Sequence, residues 1–275
     1  MKEKIRMAMF VLSCDKYSPV WNDFFNLKDR FWGDCKYPWY VVTESMDYER
    51  AGVTVIKCGK GLDLAGRLKK AALSVDAEYI SIFLEDYFID SKVDNGVVDS
   101  LLQLMDEKKI TTINVSEVFK WIINQRNKQY LREHLIIVPP HLRYGISTEA
   151  TIWRKDFLLE ILGDEDCSAW KFEVDRSREA ASPNGLRGFN LVDDRMPYHV
   201  SRIPVIVHGG FYPRAIRHFR KLGYNINTSV FPTMTWKQVI LYDLKHYSAK
   251  IPFGHKYLKW IGRNVFGMKF GSDTL

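Results

Sequence analysis

Two largely apolar runs, IRMAMFVLS at residues 5–13 and YISIFL at residues 79–84, constrain this chain more than any other feature. A strand without polar alternation must have both faces covered, as in a parallel sheet held between layers of helix. The segments between the two runs supply those layers. Residues 19–32 place Val20, Trp21, Phe24, Phe25, Leu27, Phe31 and Trp32 at helical spacing, with a proline near the first turn. Two short β-rich runs follow, Trp39–Thr43 and Val53–Lys57, and Asp63 then caps a helix with the apolar stripe Leu64, Leu68, Ala71, Ala72 and Val75. The order β-α-β-β-α-β over the first 90 residues predicts an α/β fold: a mostly parallel central sheet flanked by helices, with right-handed crossovers.

The remainder is less regular. Val97, Val98, Leu101, Leu102 and Met105 mark a helix, residues 110–115 a strand, and Leu135–Val138 a short strand closed by Pro139 and Pro140. The stretch ISTEATIW precedes a helix at 154–162. Residues 163–188, rich in charge, Gly, Ser and Asn, read as an ordered loop with a short helix, and loops of that length in a compact domain are often functional. Residues 203–207 read as an apolar strand, and HGGFYPRAIRHFRKLG after it as a glycine turn running into a basic helix.

With 275 residues, 46% hydrophobic and 27% charged, the chain can bury a full core as one domain with appendages or as two small ones. No apolar run approaches the roughly 20 residues of a spanning helix, and the opening MKEKIRMAMFVLSC leads into a strand instead of a cleavable signal, so a cytoplasmic location is expected. Cys14, Cys35, Cys58 and Cys167 are scattered without a CxxC pair, which suggests neither a zinc site nor a disulfide framework. Charge is uneven. From residue 212 onward eleven basic residues face two acidic ones, a net +9, which leaves −2 for the rest of a chain whose total is +7. Trp236, Ile240, Leu241, Leu244, Tyr247, Tyr257, Leu258, Trp260, Ile261 and Phe266 lie among those charges. This mixture fits an anionic membrane surface, and equally a C-terminal helix pair packed on the core with a solvated basic face. No recognised nucleic-acid motif accompanies the charge.

Residues 79–90, YISIFLEDYFID, end an apolar strand in adjacent carboxylates, Glu85 and Asp86, with Asp90 following. In an open α/β sheet, ligands bind outside the carboxyl ends of the strands, where acids can hold a divalent cation or a sugar hydroxyl. The alternative is a turn that merely leads to the helix near Asp94.

The order of these parts resembles the nucleotide-sugar glycosyltransferases of the GT-A fold. The resemblance rests on a polar loop after the first strand, a basic residue on the helix before the fourth, and a strand ending in acids. A later glycine-led segment ending in basic residues, followed by an acid pair, completes it. It spans roughly residues 5–210 and is closest to bacterial polysaccharide or lipopolysaccharide glycosyltransferases, in which sequences similar to VLSCDKYSPVW, FWGDCKYPWYVVTE and LEDYF recur in this order.

The resemblance implies that Ser13, Asp15 and Lys16 receive the nucleotide base and ribose, and that Arg67 lies near the diphosphate. It puts Glu85 and Asp86 at the family's Asp-x-Asp position, where a carboxylate binds Mn or Mg. Glu-Asp-Tyr stands here instead, so Asp86 is the expected ligand and metal dependence is open. His208, Gly209, Gly210 and Arg214 are further candidates to stabilise the leaving diphosphate. The general base falls in WKFEVDRSR at 170–178: Glu173 first, desolvated by Trp170 and Phe172, and Asp175 second. Thr148, Glu149 and Trp170 line the acceptor side, and Asp193 and Asp194 are weaker alternatives. The expected protein is a cytoplasmic, membrane-peripheral glycosyltransferase, inverting, that moves a sugar from a nucleotide donor to a glycan or lipid-linked acceptor. Its catalytic domain would be 1–211, with a nucleotide half at 1–115 and an acceptor half at 116–211, followed by a basic helical extension at 212–275. A sugar nucleotidyltransferase, or a non-catalytic glycan-binding or assembly protein on the same fold, remains open. A nucleotidyltransferase should carry a glycine-rich phosphate loop after the first strand, and SCDKYSP has no glycine.

Overall fold

The structure is a computed structural model that describes residues 4–116, 128–139, 141–142, 145–182, 188–248, 260 and 264. Within them lie β1 Ile5–Leu12, β2 Trp39–Thr43, β3 Val53–Lys57, β4 Ala77–Leu84, β5 Thr112–Asn114, β6 Tyr130–Arg132, β7 Leu135–Val138, β8 Thr151–Arg154 and β9 Asn190–Asp193. Together they form one nine-stranded sheet in the order β3-β2-β1-β4-β8-β5-β9-β7-β6. β8 and β7 are antiparallel to both neighbours, and the other strands share one direction. The predicted α/β class, a mostly parallel sheet between helices, is what is observed.

From Met7 to Leu12 both faces of β1 are buried, which accounts for the unbroken run of apolar residues there, while Arg6 sits at the partly exposed start of the strand. Met7, Met9 and Val11 join the core under α1 (Trp21–Trp32) and α3 (Asn95–Lys108). Ala8, Phe10 and Leu12 join the opposite core under α2 (Leu64–Ser74), α4 (Lys155–Leu162) and α5 (Ala169–Ala180). The first core is aromatic at its centre, where Phe83 stacks on Tyr198 with ring centroids 5.2 Å apart. A 3-10 turn, Asp15–Val20, replaces the simple loop predicted before α1.

Two local expectations change. The stretch at 163–188 contains a full twelve-residue helix, α5, capped by the Ser168 hydroxyl and buried through Phe172, Val174 and Ala180. Its many charges, most of which point outward, conceal that stripe in the sequence. The strand expected at 203–207 is only β10 (Ile206–Val207), paired with β11 (Gly210–Phe211) in a separate hairpin. His208 and Gly209 form its two-residue turn with φ of 49° and 77°, the left-handed geometry of a type I′ turn. HGG therefore closes a hairpin before α6 (Pro213–Lys221) begins. After residue 211, Tyr212, Ala215, Phe219, Ile226 and Met234 enter the same core as β1. Beyond it runs α7, Trp236–Ser248, and most of 249–275 lies outside the described residues. Among the described residues, no helix is long and apolar enough to cross a membrane.

The N-terminus of α2, which carries Arg67, is anchored from afar. The Asp166 carboxylate accepts from the amides of Asp63 and Gly66, both at 2.8 Å. We expect Asp166→Ala to destabilise the fold by about 1–2 kcal/mol, the usual cost of a lost helix cap. Urea titration checks this, and an unchanged midpoint would mean that water replaces the carboxylate.

Candidate active site

The chain reverses its order in the sheet between β1 and β4, since β2 and β3 lie to one side and β4 to the other. In doubly wound sheets the crevice at the carboxyl ends of two such strands is where ligands bind. Here Ser13, Cys14 and Asp15 leave β1 and Glu85, Asp86 and Tyr87 leave β4, so the acids foreseen in the sequence sit at the switch point.

Glu85 is buried, at 8% exposure, and its carboxyl is pushed up to about 8 by burial first and then by the charge of Asp86. The Ser13 hydroxyl donates to it and itself accepts from the Trp21 indole at 2.9 Å. Asp86 is raised to about 6 by burial, against which its own amide and that of Ile206 in β10 donate to the carboxylate. Arg67 is the cation felt by Glu85; it also lies 3.8 Å from Glu44 and donates to the Leu62 carbonyl at 2.6 Å, while its Nε is buried without a partner.

A second pair of acids meets the first. Tyr87 is surrounded by the charges of Glu149, Asp86, Glu173 and Glu85, which together with burial drive its phenol well above the ordinary range. Glu173 projects from α5 towards the segment before β8. Its Oε1 accepts from the Thr148 amide at 2.7 Å and from the Thr148 and Ser147 hydroxyls, each at 3.0 Å. Burial outweighs these three donors and raises the Glu173 carboxyl. Glu149 is raised further, by burial and then by Glu173 and Asp86, and its Oε2 is buried without a hydrogen-bond partner. Among the described residues no cation offsets Asp86, Glu149 or Glu173, and no group of three or more side chains is set to cage a metal. Such a cluster of acids is short of compensating positive charge, which is why burial and mutual repulsion raise them.

The structure places the other candidates differently. Trp170 is 54% exposed and Phe172 is in the core; the segment before β8 supplies the hydrogen bonds to Glu173. Asp175, two residues along α5, is turned outward, and Lys171 at 2.7 Å holds its carboxyl below the ordinary range. The Asp15 carboxylate ties the ends of β1 and β2 together, accepting from Thr43, Ser45 and Met46, and is strongly lowered. Lys16 is exposed over the Tyr17 ring. His208 is exposed at the hairpin tip near Tyr242, and Arg214 pairs with Asp243 at 2.6 Å. Asp193 is engaged by Arg195, Asp194 by His134, and Asp90 by His218. Reading the sequence did not single out Tyr17, which feels both Glu85 and Asp86, nor Tyr87 or Ser147. Their one local signal is that each adjoins a chosen residue.

A cavity of about 590 Å³ at the amino ends of β1 and β4, lined by Arg6, Glu78, Tyr79, Asp106 and Arg154, is a different feature. Its charges neutralise one another, Arg6 pairing with both Glu78 and Asp106.

No protein-family model matches the sequence, and no curated protein does. Solved structures share parts of the chain path. A cytidylyltransferase from Leptospira borgpetersenii aligns over 89% of this chain and 96% of its own, at 12% identity and a TM-score of 0.48. TarS of S. aureus, residues 1–349, aligns over 69% of this chain and 58% of its own, at 13% identity and a TM-score of 0.44. A UDP-glucose pyrophosphorylase complexed with UDP-glucose aligns over 69% and 90%, at 9% identity and 0.42.

Proposed function

We propose that this chain is a glycosyltransferase that moves a sugar from a nucleotide-sugar donor to a hydroxyl of a glycan or lipid-linked acceptor in cell-surface polysaccharide synthesis, with inversion. The observation that carries this reading is the meeting of two acid pairs: Glu85 and Asp86 at the switch point, and Glu149 and Glu173 opposite. One side suits the diphosphate of a donor and the other the proton of an acceptor. With Oε1 of Glu173 fixed by three donors, its Oε2 is left to take the acceptor proton. The acceptor oxygen then forms its bond to the anomeric carbon as the bond from that carbon to the diphosphate breaks, and the electron pair leaves with the nucleoside diphosphate. Ser13, Asp15, Lys16 and Tyr17 frame the nucleotide side, and Arg67 faces the diphosphate. Asp86 would hold Mn or Mg together with the phosphates, an arrangement that needs only one or two protein carboxylates. The cation would supply the positive charge that the leaving group requires.

A panel of nucleotide sugars, each with Mn, Mg or chelator, followed by product analysis, tests this. Release of a nucleoside diphosphate supports glycosyl transfer, and chelation is expected to reduce turnover at least about tenfold. Release or uptake of pyrophosphate would assign nucleotidyl transfer instead. Donor binding without any product would assign a binding protein.

A further inference from the structure

We propose that the surface formed by α6 and α7 docks on an anionic lipid bilayer, an inference that does not depend on the reaction assigned above. α7 turns large apolar side chains outward: Trp236 is 69% exposed, Leu241 65% and Ile240 48%. Trp236 and Ile240 are one helical turn apart, and with Pro213, Ile216 and Val239 they line an apolar groove of about 520 Å³ between α6 and α7. A stripe of this kind on a water-facing helix loses free energy until something apolar covers it.

Charge identifies the cover. Arg217, Arg220, Lys221 and Lys237 are exposed on the same two helices. Asp243, the acid that α6 and α7 contribute, is occupied by Arg214 and Tyr212. α6 and α7 together carry six basic residues, Arg214, Arg217, Arg220, Lys221, Lys237 and Lys245, against the single acid Asp243, so this surface is strongly positive. Two copies of so basic a face repel each other, and a nucleic acid would leave the tryptophan and isoleucine uncovered. Anionic headgroups over an acyl boundary satisfy both components at once, and two weak signals together are what stable peripheral binding requires.

Co-sedimentation of the full chain with vesicles of phosphatidylcholine, with or without phosphatidylglycerol, tests the proposal. Wild-type protein is expected to partition onto the anionic vesicles only, and to be released by high salt. Trp236→Ser combined with Ile240→Ser should reduce partitioning at least about tenfold. Arg217→Gln combined with Lys221→Gln should reduce it about fivefold per charge removed. Unchanged thermal unfolding shows that the variants are folded. Failure of the wild type to partition overturns the proposal, as does wild-type partitioning by the Trp236 and Ile240 variant. A dimer dispersed by that variant in sedimentation velocity, with no vesicle binding, would make the face a self-interface and overturn it equally. None of these outcomes bears on whether nucleoside diphosphate is released in the product assay.

Discussion

Replacing Glu173 with glutamine is expected to lower kcat about 10³-fold while leaving the fold and donor affinity unchanged. Glutamine keeps the shape of the side chain, and its carbonyl oxygen can still accept from the Thr148 amide and the Ser147 and Thr148 hydroxyls. What it cannot do is take a proton, and general-base catalysis contributes about 10²–10⁴ to rates of this kind. The pH profile gives a second signature. Burial raises the Glu173 carboxyl above its ordinary value, so wild-type activity should rise with pH as that group ionises, and the variant should lose this limb. Stopped turnover with an intact fold, measured beside donor binding by calorimetry, supports the assignment. A folded variant with wild-type rate would exclude it.

Glu85→Gln is expected to stabilise the ligand-free protein at pH 8 by on the order of 3 kcal/mol, an increase in Tm of several degrees. The Glu85 carboxyl rises from an ordinary 4.5 to about 8 on folding. Between those values the folded chain keeps a proton that the unfolded chain has released. Since the unfolded state binds fewer protons there, stability falls as pH rises through this window. Asp86, raised to about 6, adds a smaller loss of the same sign. Glutamine is neutral throughout, so the variant should show a flatter stability curve and the largest gain at the alkaline end. The same change should weaken donor-dependent turnover, because the acid pair that destabilises the empty site is the one proposed to receive the donor. Parallel pH–stability curves for wild type and variant would show that Glu85 is ionised at neutrality and sink the argument.

Much of the architecture was legible because burial leaves a periodic trace. The runs that became β1 and β4 contain no polar alternation, which only a doubly covered sheet tolerates. The acids at the end of β4 were visible for the opposite reason, since an apolar strand that stops at Glu85 and Asp86 marks its own carboxyl end. α5 was harder, as its charges masked a stripe of only a few buried residues. The two-residue strands of the hairpin left too short a pattern to place. Resemblance, not spacing, pointed to Glu173, Thr148 and Glu149, and Trp170, the ring expected to shield Glu173, is 54% exposed.

By itself the sequence determined the class of sheet, most of the helices that cover it and the strand end at which acids emerge. These follow from local periodicity, which each segment carries alone. Which acids face one another, and which hold a proton, was decided only by tertiary structure. Glu173 is fixed by residues 25 and 26 positions away, and Asp86 receives an amide from a hairpin beyond α5. Desolvation and charge repulsion are sums over every group that folding brings near, and no single segment contains the terms of that sum.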